Sequence, residues 1–280
     1  MHEPDGDDRV FSAEQVVSLA GDDPMNEDVA GWTAGAAWVI DGATPLGEPY
    51  TAGPLTSAAW FAQRLSAQFA VLSAGPTGTG PATLDAAGLV RAAQARLATQ
   101  IRAAGLGGTR YPPSASAVYL GAADGQVQIA VVGDVEALVV RRTGQAELVS
   151  NHLEGRLVLG PDGHPVRWGD IADLHEQRQA ILHDHDGAHV LTLPPLHPAA
   201  VATRSFAADG LSRVLLFSDG FGRLRKLGRE TALAAMATGE LSLCQAGLTL
   251  RELEKEIHVA PPEEKNSDDA TAVLLSFPAG

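Results

Sequence analysis

The chain has 280 residues, 45% of them hydrophobic, enough to bury a substantial core in one large domain or two small ones. Acidic residues outnumber basic ones by 34 to 20, a net charge of −14, which argues against a nucleic-acid groove or an anionic membrane surface as the main partner. The opening MHEPDGDDRV lacks the basic and apolar regions of a secretory signal, and no apolar run is long enough to span a bilayer. Cys244 is the only cysteine, which excludes an intramolecular disulfide framework and a thiolate metal site. The expectation is a cytoplasmic protein with no nucleic-acid or membrane partner.

Residues 1–24 read as an N-terminal segment, and residues 25–280 as a single domain. Gly35 to Ile40 is an apolar run of strand type that ends at Asp41-Gly42. Thr56 or Ser57 then caps a helix in which Ala59, Phe61, Ala62, Leu65, Phe69 and Leu72 recur at near-helical spacing. Thr83 is placed as the cap of a second helix, through Leu84, Leu89, Val90, Leu97 and Ile101, that stops at Gly105. Ala115–Leu120, Val127–Val132 and Ala137–Val140 follow as a β-meander, the first two joined across Asp124-Gly125, a strong hairpin signal.

Residues 151–200 are rich in Gly, Pro and His and read as an irregular flap inserted into the domain. Val214–Ser218 is the next buried strand, followed by a helix over Glu230–Thr238 and a second one capped by Thr249 and Glu252 that runs through Ile257. The loop PPEEKNSDD delivers a last strand, Ala270–Phe277. Cys244 falls outside every motif and is expected in the core.

Four acidic signatures occur in order: Asn26-Glu27-Asp28, Val39-Ile40-Asp41-Gly42, Leu216-Phe217-Ser218-Asp219-Gly220 and Ser267-Asp268-Asp269-Ala270-Thr271. Asp-Gly occurs seven times in the chain and by default means a turn. Asp41 and Asp219 differ from the other five because each terminates an apolar strand, where a carboxylate is directed by the strand and reachable by a hard cation. Clustered carboxylates repel one another unless a cation compensates, so the conjunction points to a metal centre where no single motif does.

In that order, with Gly133-Asp134 inside the meander, the signatures resemble the metal-dependent protein phosphatases of the PPM group, also called type-2C phosphatases. The resemblance spans about Met25 to Phe277. It implies an α+β fold, a four-layer α-β-β-α sandwich of two packed antiparallel sheets flanked by helices. It further implies two or three Mn²⁺ or Mg²⁺ ions. Asp41 would bridge two of them, with the Gly42 carbonyl as a further ligand; Asp219 and Asp268 would complete the second ion, and Glu27 and Asp28 would act through bound water. Asp134 matches the position that helps hold a third ion. The implied activity is hydrolysis of phosphomonoesters, most often phosphoserine or phosphothreonine in a protein, by a hydroxide held between two ions, with Asp41, Asp219 and Asp268 carrying the chemistry.

The chain departs from the family pattern at several points. Asp23 stands where many members carry a phosphate-clamping Arg, for which Arg9 and Arg110 are the candidate substitutes. Ala43-Thr44 replaces a His of many eukaryotic members, Val135-Glu136 replaces Ser-Arg, and Asp269 replaces Asn. The missing Arg and the unusual flap leave room for a phosphatase of a small phosphorylated metabolite, and a non-catalytic regulatory module is a third reading, against which the retention of Asp41, Asp219 and Asp268 weighs. His175, His183, His185, His189 and His197 form a competing candidate for a zinc site, with lining of the substrate cleft as the alternative use of that segment.

Overall fold

The computed structural model describes residues 10–22, 25–43, 54–74, 85–105, 112–151, 157–159, 165–167, 188–256 and 267–279. Its frame is two five-stranded antiparallel sheets. The first is ordered β1 (Ser12–Leu19), β12 (Ala270–Ser276), β11 (Leu211–Phe217), β6 (Glu136–Arg141), β7 (Ala146–Ser150). The second runs β10 (Ala202–Ala207), β5 (Gln126–Val132), β4 (Ser114–Ala123), β3 (Ala36–Ala43), β2 (Val29–Trp32). A short hairpin, β8 (Leu157–Leu159) with β9 (Pro165–Arg167), is all of the expected flap between 152 and 187 that falls within the described residues. The implied four-layer sandwich is the fold observed.

Strand periodicity builds the layers. In β3, Ala37 and Val39 face the other sheet while Ala36, Trp38 and Ile40 face outward, because successive side chains of a strand alternate. Val118, Leu120, Ile129, Val131, Val139, Val214, Leu216, Val273 and Leu275 fill the space between the sheets with Val39. Central strands covered on both faces read as unbroken apolar runs, which is why β3, β5, β11 and β12 stand out in the sequence.

The outer face of the second sheet is covered by α1 (Ser57–Ser73) and α2 (Ala86–Ala103). Phe61, Leu65 and Phe69 of α1 are fully buried there, each contributing about 1.5–3 kcal/mol through burial. Thr56 caps α1, its Oγ1 accepting from the Ala59 N–H at 3.1 Å. Thr83 lies outside the described residues, and the cap of α2 is Asp85, which accepts from the Gly88 N–H at 2.7 Å. On the first sheet sit α3 (Asp219–Lys226), α4 (Glu230–Thr238) and α5 (Leu243–Glu256), with Phe221, Leu224, Met236 and Leu250 packed on Leu215, Phe217 and Leu274. Among the described residues no helix is long and apolar enough to cross a membrane.

Three expectations need correction. Ser12–Leu19, placed in a segment outside the domain, is an edge strand paired along β12; its polar alternation gives no apolar run to notice. Thr249 does not cap a helix, because the buried face of Leu243, Ala246 and Leu250 starts α5 six residues earlier and leaves Thr249 in its interior. Cys244 is exposed on the first turn of α5 instead of buried in the core. The Asp124-Gly125 hairpin is as expected: both residues have positive φ, 51° and 71°, and Ala123 pairs with Gln126 across them.

Candidate metal centre

The rows of side chains that fill the space between the sheets turn polar at one end. One alternation step beyond the last apolar residue, Val39 gives way to Asp41, Val118 to Ser116, Leu216 to Ser218 and Val273 to Thr271. These residues meet through the pairings: Asp41 lies opposite Ser116 across β3 and β4, and the Ser218 N–H donates to the Thr271 carbonyl at 2.9 Å. The strands thus deliver a polar cluster to one edge of an otherwise dry core.

Asp28 is buried at the centre of it. The Ser218 hydroxyl donates to Asp28 Oδ2 at 2.7 Å while accepting from the Thr271 N–H at 2.9 Å. Asp28 Oδ1 is buried with no hydrogen-bond partner among the described residues. Burial first, and then the negative charges of Asp269 and Asp219, push the Asp28 carboxyl up to about 8, against the pull of the Ser218 hydroxyl.

Half-buried Asp41 is crowded more severely. Its carboxyl is held well above the usual carboxylate range by burial and then by Asp28, Asp219, Asp134 and Asp268. Of the side chains expected at the site, the fold therefore brings five carboxylates into one electrostatic cluster. They are neighbours rather than a closed cage, since like charges repel: among the described residues no three ligand-type side chains converge on one point.

Each contributor is fixed locally. Gly42 has no side chain because a Cβ there would meet the Glu27 carbonyl oxygen at 2.6 Å, so the backbone of buried Glu27 passes directly over it. Asp134 is exposed and accepts from the Ser116 hydroxyl at 2.6 Å. Gly133 before it has φ +82°, and a Cβ would come within 2.1 Å of Ser116 Oγ. Asp219 is not at a strand tip as expected but is the first residue of α3, where the helix N-terminus favours its charge. Gly220 completes that turn: a Cβ would stand 1.9 Å from the Asp269 carbonyl oxygen.

Sequence reasoning missed the role of Asp269. Both of its oxygens accept backbone N–H groups, Oδ1 from Gly21 at 2.7 Å and Oδ2 from Glu27 at 2.6 Å, so it ties the segment carrying Glu27 and Asp28 to the start of β12. An amide offers only one acceptor oxygen, which gives the Asp in this position a physical reason. Asp269→Asn is expected to lose about 1–3 kcal/mol of stability by turning an amide NH₂ toward a backbone N–H, measured by urea unfolding. Wild-type stability in that variant would show that the latch holds nothing.

The histidine candidate does not assemble among the described residues. His175, His183 and His185 lie outside them, as do Asp23, Arg9 and Arg110. His189 and His197 stack on each other with ring centroids 4.7 Å apart, and His197 Nδ1 accepts from the Ala199 N–H, capping a short turn.

Solved structures share this architecture. A bacterial serine phosphatase matches with a TM-score of 0.56 at 16% identity, over 96% of this chain and 99% of that one. The serine/threonine phosphatase PstP/Ppp of Mycobacterium tuberculosis matches with a TM-score of 0.55 at 19% identity, over 94% and 97% of the two chains. The chain has the fold of the bacterial serine/threonine phosphatases. Within that phosphatase fold the likeness extends to the catalytic domain of PstP in complex with two manganese ions, with a TM-score of 0.53 at 18% identity over 94% and 96%. No protein-family model matches the sequence, and no curated protein does either.

The cluster fits hard divalent cations on its own chemistry. Its donors are carboxylate oxygens, the type that Mg²⁺ and Mn²⁺ prefer, and Asp28 Oδ1 is a buried acceptor with nothing else to bind among the described residues. Positive charge at this point would offset the burial and the like-charge repulsion that push Asp41 and Asp28 up.

Proposed function

We propose that the chain is a metal-dependent phosphomonoester hydrolase that acts on phosphoserine and phosphothreonine in protein partners. One observation carries the reading: in a phosphatase fold, the inward rows of the two sheets end in a carboxylate, Asp41, on which the charges of Asp28, Asp219, Asp134 and Asp268 all bear. Mn²⁺ or Mg²⁺ would be held by Asp41, Asp219 and Asp268, with the Gly42 carbonyl, Glu27, Asp28 and Asp134 completing the set. Such ions, when bound, acidify water and neutralise phosphoryl oxygens.

The chain's own residues supply placement. The β3–β4 ladder fixes the direction of Asp41. The Ser218 hydroxyl orients Asp28 by committing Oδ2, while Oδ1 is buried with no hydrogen-bond partner among the described residues. Asp269 and Gly42 set the height of the Glu27-Asp28 segment over β3. No side-chain nucleophile is required, and Cys244 sits on α5, outside every motif that forms the cluster.

The test is hydrolysis of p-nitrophenyl phosphate by metal-stripped protein with Mn²⁺, Mg²⁺ and Zn²⁺ added back separately. Turnover restored by Mn²⁺ or Mg²⁺ is the expected result. Absence of turnover together with no Mn²⁺ uptake by calorimetry would overturn the reading. Phosphopeptides should outcompete small phosphate esters in the same assay if proteins are the substrate.

A further inference from the structure

The end of β1 and the start of β12 meet beside the acidic cluster. From β1 the chain leads to Glu27 and Asp28, and Asp268 stands two residues before β12. Their junction is gripped from outside by one side chain. Arg251 of α5 donates through Nη2 to three carbonyl oxygens, Asp268 at 2.8 Å, Ala20 at 3.1 Å and Leu19 at 3.2 Å. Its Nη1 donates to Glu254 Oε2 at 2.7 Å. Glu254 is buried, and its other oxygen forms an ion pair with Arg223 of α3 at 3.0 Å. The line of contacts therefore runs from the backbone of Asp268 to the helix that begins with Asp219.

Two features show that the arrangement is built in. Gly247, one helical turn before Arg251, lets α5 settle on β1, since a Cβ there would meet Leu19 Cδ1 at 2.4 Å. The guanidinium is mostly enclosed, its side chain 18% exposed, and only a planar fork of donors can serve the carbonyls and Glu254 together. Nothing in the sequence marks this residue, because Arg251 lies in an ordinary amphipathic helix.

We infer that Arg251 is a positioning residue for the acidic cluster: by binding the carbonyls of Asp268, of Leu19 at the end of β1 and of Ala20 just after it, it fixes the separation between the loop carrying Asp268 and the segment carrying Glu27 and Asp28. The inference rests on the reading of that cluster as a divalent-metal centre. Residues behind metal ligands tune affinity by fixing ligand placement, so the effect is on metal binding before it is on chemistry.

The experiment is calorimetric titration of the metal-stripped full chain with Mn²⁺, in wild type, Arg251→Lys, Arg251→Met and Arg213→Met. Arg213 pairs with Glu14 at 3.1 Å at the far end of β11 and serves as a control for loss of an ordinary ion pair. Arg213→Met is expected to bind Mn²⁺ as wild type does. Arg251→Met is expected to bind about tenfold or more weakly. Arg251→Lys, whose ammonium reaches the carbonyls without also serving Glu254, should fall between, and kcat at saturating Mn²⁺ should stay within about threefold of wild type in both.

Unchanged Mn²⁺ affinity in a folded Arg251→Met, with only its Tm lowered, would overturn the inference and leave Arg251 a structural staple. If Arg251→Met does not fold, wild-type affinity in Arg251→Lys overturns it equally. Absence of Mn²⁺ binding by the wild-type chain is the separate outcome that removes the metal-centre reading and this inference with it.

Discussion

Asp41→Asn is expected to lower hydrolysis of phosphate esters by about a thousandfold or more while making the metal-free chain more stable than wild type. The two effects have one cause. Asp41 sits among four other carboxylates, and its carboxyl is held well above its usual range, so the ionised side chain is a liability for folding when nothing positive is bound. A neutral amide removes that penalty, and a gain in stability at pH 8 should appear in urea unfolding with chelator present. The same change removes a carboxylate that would hold the ions, a loss of about 4 kcal/mol or more of transition-state stabilisation. Asp219→Asn should lose activity similarly, since its carboxylate also bears on both Asp41 and Asp28. The measurements are kcat/KM on p-nitrophenyl phosphate at saturating Mn²⁺ and a parallel unfolding curve. Unchanged turnover in both variants would sink the site assignment.

The second expected result is a pH dependence of stability that reverses the common acid-labile pattern over part of the range. Metal-free protein should lose stability as pH rises from about 4 to 8. In the folded chain the Asp28 carboxyl is pushed up to about 8 by burial and like charge, against an ordinary value of 3.8. Asp41 is raised too, by the same causes in the same order. Between those values the folded state holds protons that the unfolded state has released, so stability falls with rising pH, by up to about 1.4 kcal/mol per unit for each such group. The contribution is fully present below the unfolded value and is lost as pH passes through the folded one. Cations compete with those protons, so Mn²⁺ should raise Tm most at the alkaline end and flatten the profile. Calorimetric scans from pH 5 to 8.5, with chelator and with Mn²⁺, decide it. A chelated protein whose Tm climbs steadily over that range would contradict buried, protonated carboxylates at Asp28 and Asp41.

Much of the scaffold was legible because its central strands are buried on both faces. β3, β4, β5, β11 and β12 announce themselves as apolar runs, and α1 as a spaced apolar stripe, since burial imposes hydrophobicity directly on the sequence. The elements that were missed lack that imprint. Edge strand β1 alternates between exposed and half-buried residues, β2 is four residues long, and α3 begins inside the Ser218-Asp219 motif where a turn is the natural expectation.

The sequence by itself determined the acidic residues and their order, because a strand that runs Val39, Ile40, Asp41 must place a charge where its apolar row ends. Only the tertiary structure decided that Asp28, Asp41, Asp134, Asp219 and Asp268 bear on one another, since they are brought together by pairings between segments up to about 240 residues apart. It also decided that Asp269 is a latch and Arg251 a clamp. Both act through backbone N–H and carbonyl groups, which every residue carries, so no side-chain pattern can disclose which of them a given carboxylate or guanidinium will find.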